Sequence, residues 1–184
     1  MDLHQPYTGV LYLPDKPSQG ITPVLLADGQ PVAQLRWHTM SAHQAFEVLD
    51  PASGAVVASG RHEHVLGRRY AVHGPDGDSV LAELKLGAFR PFDGATITLA
   101  DGTALGLHGK PTGRHFDFLK DGAVIAQIRP TTGAFTHHPD SYEFDLPTPV
   151  LSIAAAVGLA QALREAVETI RRHEQTNARN RVFP

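Results

Sequence analysis

Val150-Leu-Ser-Ile-Ala-Ala-Ala-Val-Gly-Leu-Ala-Gln-Ala-Leu163 is the stretch that decides the fold. It is apolar almost throughout. Its two polar residues, Ser152 and Gln161, are nine positions apart, which puts them on opposite sides of a helix, so the first half has no polar face. A helix apolar all round must be buried on every side or lie in lipid. It is also slim: Ala154, Ala155, Ala156, Gly158, Ala160 and Ala162 leave room for close neighbours. Gly158 costs a helix about 1 kcal/mol relative to alanine, which a tightly apposed partner would explain. Thr148 and Pro149 have the character of an N-cap and a first helical residue, predicting a helix over 149–172. The run has 14 residues before Arg164 and Glu165, short of the about 20 needed to span a bilayer.

The residues before this helix read as strands. Asp28-Gly29, Asp50–Gly54, Asp76-Gly77, Asp101-Gly102 and Asp121-Gly122 each separate two alternating runs. Asp-Gly favours tight hairpins because both residues tolerate positive φ. The turn aspartates step by 22, 26, 25 and 20 residues, a degenerate hairpin repeat and not a solenoid period. Within the runs, Ala33, Leu35 and Trp37 share a face, as do Phe116 and Phe118, and Tyr142, Phe144 and Leu146. A period of two with one wet face is the pattern of antiparallel sheet. Five hairpins, an opening strand near Thr8–Leu13 and a closing strand at Tyr142–Leu146 give about twelve strands. The expected architecture is mainly β: a closed antiparallel barrel of about twelve strands around a central hydrophobic C-terminal helix. Closure would give the helix a dry sleeve and leave no sheet edge exposed. The barrel core is expected over about 20–172 of a single domain. Past Leu163 the helix should emerge with Leu163, Val167 and Ile170 as its buried stripe. Arg164, Glu168 and Arg172 form i,i+4 pairs on its wet side. Residues 173–184 read as a frayed polar tail.

Composition narrows the function classes. The 184 residues are 42% hydrophobic and 19% charged, with a formal net charge of −3, which argues against a general nucleic-acid binder. Zero cysteines remove disulfides, thiolate metal sites and thiol catalysis. Met1–Pro6 lacks a basic stretch followed by an apolar one, so a secretory signal is not expected, and the expected location is cytoplasmic, possible also at a membrane periphery. Neither a Gly-x-Ser-x-Gly elbow nor a dinucleotide fingerprint occurs. Gly109-Lys110 is not a phosphate loop, because position 104 is alanine and proline follows the lysine. The chain reads as a non-enzyme without a cofactor.

The strand–Asp-Gly–strand units Phe46–Ser59, Tyr70–Leu86, Ala95–His108 and Phe116–Arg129, followed by Tyr142–Leu146 running into Val150–Leu163, resemble the tubby C-terminal-like superfamily. That superfamily includes the tubby domains, the plant LURP-one-related proteins and the phospholipid scramblases. The resemblance implies a twelve-stranded barrel around a hydrophobic C-terminal helix. It implies phosphoinositide headgroup binding, calcium-dependent lipid scrambling, or adaptor roles. The chain lacks the scramblases' cysteine-rich segment and acidic calcium loop, and the dense Lys/Arg cluster of tubby headgroup sites. No family functional residue is therefore carried over.

Basic charge gathers in mid-chain, at Arg61, Arg68, Arg69, Lys85, Arg90, Lys110 and Arg114. Guanidinium and ammonium groups on loops can hold a phosphate or lipid headgroup, so Arg61, Arg68, Arg69, Lys110 and Arg114 are the candidate ligand-binding residues. The competing reading is ordinary surface charge. His62 and His64 share a strand face and, with His137 and His138, offer an alternative metal site. Solvated loop histidines are the simpler reading in a chain with eleven. The expected function is a binding module for anionic lipid or a phosphorylated ligand. The alternatives are a protein–protein adaptor and, further off, a scramblase-like activity. Convergence of the basic residues on one surface discriminates between the first two.

Overall fold

The computed structural model describes residues 1–14, 20–38, 46–62, 68–87, 91–110, 115–131 and 141–182; for Arg61, His62, Lys110, His173 and 177–182 the description is of backbone alone. Twelve strands follow one another: β1 (Gly9–Pro14), β2 (Ile21–Leu26), β3 (Pro31–Trp37), β4 (Phe46–Leu49), β5 (Val56–His62) and β6 (Arg69–His73). Then come β7 (Val80–Lys85), β8 (Ala95–Leu99), β9 (Ala104–Lys110), β10 (His115–Lys120), β11 (Ala123–Pro130) and β12 (Ser141–Leu146). The last described element is helix α1 (Ile153–Val182). Each strand pairs antiparallel with the next, and β12 pairs with β1, with Gly9 opposite Leu146 and Pro14 opposite Ser141. The barrel is closed, as the alternation predicts.

The Asp-Gly turns work through the aspartate side chain. Asp28 Oδ1 accepts from the Gln30 amide at 3.0 Å, Asp101 Oδ1 from Thr103 at 2.8 Å, and Asp50 Oδ1 from Ala52 at 2.7 Å. These are Asx turns, which fix the reversal before any sheet pairing. At Asp121-Gly122 both φ angles are positive, 51° and 81°, the geometry of the two-residue hairpin turn matched to strand twist. Because every second connection is one of these turns, all five lie at the same end of the barrel. We call this the turn end and the opposite rim the mouth.

α1 starts at the turn end and runs out through the mouth. Ile153, Ala154, Ala156, Val157, Leu159, Ala162, Leu163 and Ala166 are buried, alongside Leu35, Val48, Val72, Leu84, Ile97, Phe118 and Phe144. The helix packs against β4, β5, β6 and β7. The close partner implied by Gly158 is Val72 on β6: a Cβ on Gly158 would run into the Val72 methyl groups. The sheet repeats the device, with the Phe46 ring lying over Gly60 and the Phe116 ring over Gly109. The Phe118 and Phe144 rings meet at 5.1 Å with their planes tilted by 31°, and Phe92 and Phe116 at 5.2 Å tilted by 55°.

Three details differ from the sequence reading. First, α1 begins at Ile153, not at 149, and its cap is Ser152, whose Oγ accepts from the Ala155 amide at 3.2 Å. The N-terminal segment is the reason. Tyr7 donates to the Leu151 carbonyl at 2.9 Å and Ala154 to the Leu3 carbonyl at 3.0 Å, holding residues 149–152 out of the helix. The Thr148 hydroxyl instead donates to the Ile125 carbonyl at 3.0 Å. Second, the opening strand lies where expected, at Gly9–Pro14, but the core extends ahead of position 20, with Leu3, Leu11 and Leu13 buried. Third, the helix continues past 172 to Val182, where Glu174, Gln175, Ala178, Arg179 and Arg181 favour it against the weaker Thr176, Asn177 and Asn180. Thirty residues of helix reach about 45 Å, whereas even the longest strand, eight residues, spans roughly 27 Å before tilt, so the last turns stand beyond the mouth. Ser152→Ala is expected to lower stability by about 1 kcal/mol, measured by urea denaturation; an unchanged midpoint would mean that the Leu3 carbonyl suffices as the cap.

Candidate functional site

Strand direction decides which charged residues meet. β5 ends and β6 begins at the mouth, as do β7 and β9 at their ends and β10 at its start. Arg61, Arg68, Arg69, Lys85 and Lys110 are therefore backbone neighbours of one rim. Arg69 lies directly across from Lys85, and Arg61 across from Ala71, on three adjacent strands. Lys110 faces His115 on the far side of β8. Arg90, Arg114, His64, His137 and His138 lie outside the described residues, so the proposed histidine cluster is represented only by the backbone of His62. Among the described residues no three His, Asp or Glu side chains converge as a metal site.

The rim cations fall into two groups. Arg68 is exposed and Lys85 is exposed, and neither has an ion-pair partner among the described residues. Arg69 is bound to Glu83 at 3.2 Å. On the other side of the mouth Arg36 and His38, at the end of β3, both reach Glu47 on β4, at 2.5 and 3.1 Å. Burial works against the Glu47 charge, but the hydrogen bonds from His38 and Arg36 hold its carboxyl below the usual range. Further round, His108 Nε2 lies 3.6 Å from Asp93 and His115 Nε2 lies 3.4 Å from Asp117. Asp117 also accepts from Gln127 at 2.6 Å, and Arg129 donates to Gln127. The mouth is thus a mixed-charge ring in which carboxylates occupy most of the described cations.

Where α1 leaves the barrel, Trp37 forms the wall of the mouth. The Arg164 guanidinium sits over its ring, 5.0 Å from the centroid, while binding Glu168 at 3.2 Å. Arg164 is only 12% exposed, so it belongs to the mouth and not to the wet face of the helix. Glu168 also holds Arg172 at 3.3 Å, completing the predicted i,i+4 chain. On the β6 side, burial raises the Tyr70 phenol to about 12 against a hydrogen bond with Thr169. Burial first, and then the Glu168 charge, push the neighbouring Glu165 carboxyl up to about 7, against Arg172 and Arg164. Among the described residues Trp37 Nε1 and Arg164 Nη1 are buried without a hydrogen-bond acceptor.

The turn end has the opposite character. Asp2, Asp28, Asp50, Asp76, Asp78, Asp101 and Asp121 cluster there with His4 and Lys120. Hydrogen bonds from Ser79 hold Asp76, and one from the Thr103 amide holds Asp101, below the ordinary carboxylate range. A shallow cleft of about 220 Å³ lies beside the start of α1, lined by His4, Leu81, Leu99, Asp101, Val150 and Leu151. The Leu3 carbonyl and Ser152 already accept from the first helical amides, so the cleft offers an anion little.

The sequence reading missed Arg36, His38, Glu47, Glu165, His108 and His115, and placed Arg164 on the wet face instead of in the mouth. The polar tips of Arg36-Trp37-His38 at a strand end were the one local signal.

No family model matches the chain, and no curated protein matches it. Among the described residues no helix is long and apolar enough to cross a membrane. Among solved structures, the X-ray structure of a protein from Arabidopsis thaliana (AT5G01750) is similar, with a TM-score of 0.57 over 92% of this chain and 96% of that one. At 14% identity this likeness establishes the fold alone: a closed twelve-stranded antiparallel barrel with its C-terminal helix inside.

Proposed function

We propose that this chain is a binding module of the tubby C-terminal-like superfamily that docks its mouth on anionic lipid headgroups, acting by recognition and not by catalysis. The observation that carries this reading is the polarity of the two ends. Seven aspartates and one lysine, Lys120, gather at the turn end, while Arg36, Arg61, Arg68, Arg69, Lys85, Lys110 and Arg129 outnumber Glu47, Glu83, Asp93, Asp117 and Glu143 around the opposite rim. A charge separation along the barrel axis orients the protein in the field of a negative surface, mouth first. Arg68 and Lys85, exposed and without an ion-pair partner among the described residues, are the groups offered to headgroup phosphates. The order of hairpins and the apolar helix supports the superfamily, as does the barrel shared with the Arabidopsis protein.

Co-sedimentation with vesicles of neutral lipid, anionic lipid and phosphoinositide tests the reading at low and physiological salt. The expected result is salt-sensitive binding to the charged vesicles, reduced at least about tenfold by Arg68→Glu/Arg69→Glu, since each surface cation contributes about 1 kcal/mol. Failure to bind any vesicle would overturn it in favour of a protein–protein adaptor.

A further inference from the structure

We propose that the docking of the mouth on an anionic membrane is strengthened by acid, through protonation of His38, His108 and His115. This deepens the headgroup-binding reading and rests on it. The three histidines stand at the rim on different strands or strand ends, and all three are at least a third exposed. Each faces a carboxylate within 3.6 Å: His38 meets Glu47, His108 meets Asp93, and His115 meets Asp117. Asp117 also lies directly across the strand pair from His108, so acid and base alternate along β9 and β10. The other charged groups around them are Arg36 beside His38, Lys110 opposite His115, and Arg129 on β11. Near neutral pH these carboxylates offset the rim cations. Protonated, each imidazole places a positive charge beside its carboxylate.

The rest of the molecule acts in the same direction. Glu165, at the helix exit, gives up its charge near pH 7. At the turn end, Asp76 and Asp101 are held ionised by their own hydrogen bonds, so that end stays negative while the mouth gains charge. Over the whole chain, protonating all eleven histidines turns the formal net charge from −3 to +8. The polarity along the axis therefore sharpens on acidification, and the occupant that fits positive charge added at three separated points of a broad rim is an anionic lipid surface.

The test uses the full chain with phosphatidylcholine vesicles, with and without phosphatidylserine, at pH about 7.5 and about 5.5. Circular dichroism at both pH values checks that each variant is folded. Binding to the phosphatidylserine vesicles is expected to rise about tenfold or more at the lower pH, given about fivefold per added surface charge. The triple variant His38→Gln/His108→Gln/His115→Gln should lose most of that rise, whereas His4→Gln, at the turn end, should keep it. Inorganic phosphate and a soluble phosphorylated headgroup serve as competitors. Displacement by the soluble headgroup at stoichiometric amounts would identify a discrete small-anion site and overturn the surface-docking inference. A rise retained in full by the triple variant, or binding that ignores pH, would also overturn it. In both cases the headgroup-binding reading stands if Arg68→Glu/Arg69→Glu still abolishes binding at pH about 7.5. Absence of vesicle binding at either pH overturns both.

Discussion

Gly158→Val is expected to be the most damaging single substitution along α1, lowering stability by about 3 kcal/mol and the midpoint of thermal unfolding by roughly 10 °C. The reason is steric. Even the first carbon of a side chain at 158 would meet Val72 Cγ2 at 3.1 Å and Cβ at 3.3 Å, with Cγ1 closer still. In an open helical bundle the helix would slide away. Here β4 to β7 face it and the sheet closes behind them, so any shift displaces another wall. Gly158→Ala tests the same contact more gently. In a solvated helix it would gain about 1 kcal/mol, so a net loss measures the seating of the helix against β6. Val72→Ala should rescue Gly158→Ala in a double-mutant cycle, because the deleted methyl groups are the ones that collide. A Gly158→Ala protein more stable than the parent would show that α1 does not lie against β6.

Glu165→Gln is expected to stabilise the protein at alkaline pH by about 1–2 kcal/mol and to change little near pH 5. Burial, followed by the Glu168 charge, raises the carboxyl to about 7 in the fold, above its usual value. The folded state therefore prefers the protonated form. As pH rises past the ordinary carboxylate range the unfolded chain ionises freely while the folded chain resists. The cost grows until pH passes about 7 and is then constant. The full shift would be worth more, but part of the group reaches solvent and its neighbours' fields are screened. Glutamine stays neutral throughout, so the gap between variant and parent should open between pH about 5 and about 8. Urea midpoints at those two values measure it. Equal stabilities at both would mean that the carboxylate turns outward and is solvated.

The barrel was legible because its signals are local. An aspartate that accepts from the amide two residues on makes a turn before the rest of the sheet exists, as at Asp28 and Asp101. Alternation then assigns faces, and Phe118, Phe144 and Leu35 point inward as their spacing requires. The bareness of Ile153–Leu163 shows that something must surround it, and Gly158 foretells a near neighbour. The helix start was misread for a physical reason. Thr148-Pro149 is a good local cap, but Leu3 and Tyr7, remote in sequence, compete for the same backbone through hydrogen bonds to Ala154 and Leu151. The mouth was legible only in part. Strand direction, once known, gathers Arg61, Arg68, Arg69 and Lys85. The partners that occupy a cation depend on register: Glu47 for Arg36, Glu83 for Arg69, and Trp37 for Arg164 are set by pairing and by the helix's depth in the barrel. No window of sequence contains those facts.

The closure of β1 onto β12 has a consequence for the chain's birth on the ribosome. Leu11 must wait for Phe144 to be synthesised before its strand gains its second neighbour. The helix that fills the interior is made later still. Until then the nascent sheet carries two unpaired edges and a hollow, apolar inner face of Leu35, Val72, Leu84 and Phe118. A terminated or stalled chain lacking α1 cannot hide that face within itself. It becomes a client for holdase chaperones or a seed for aggregation.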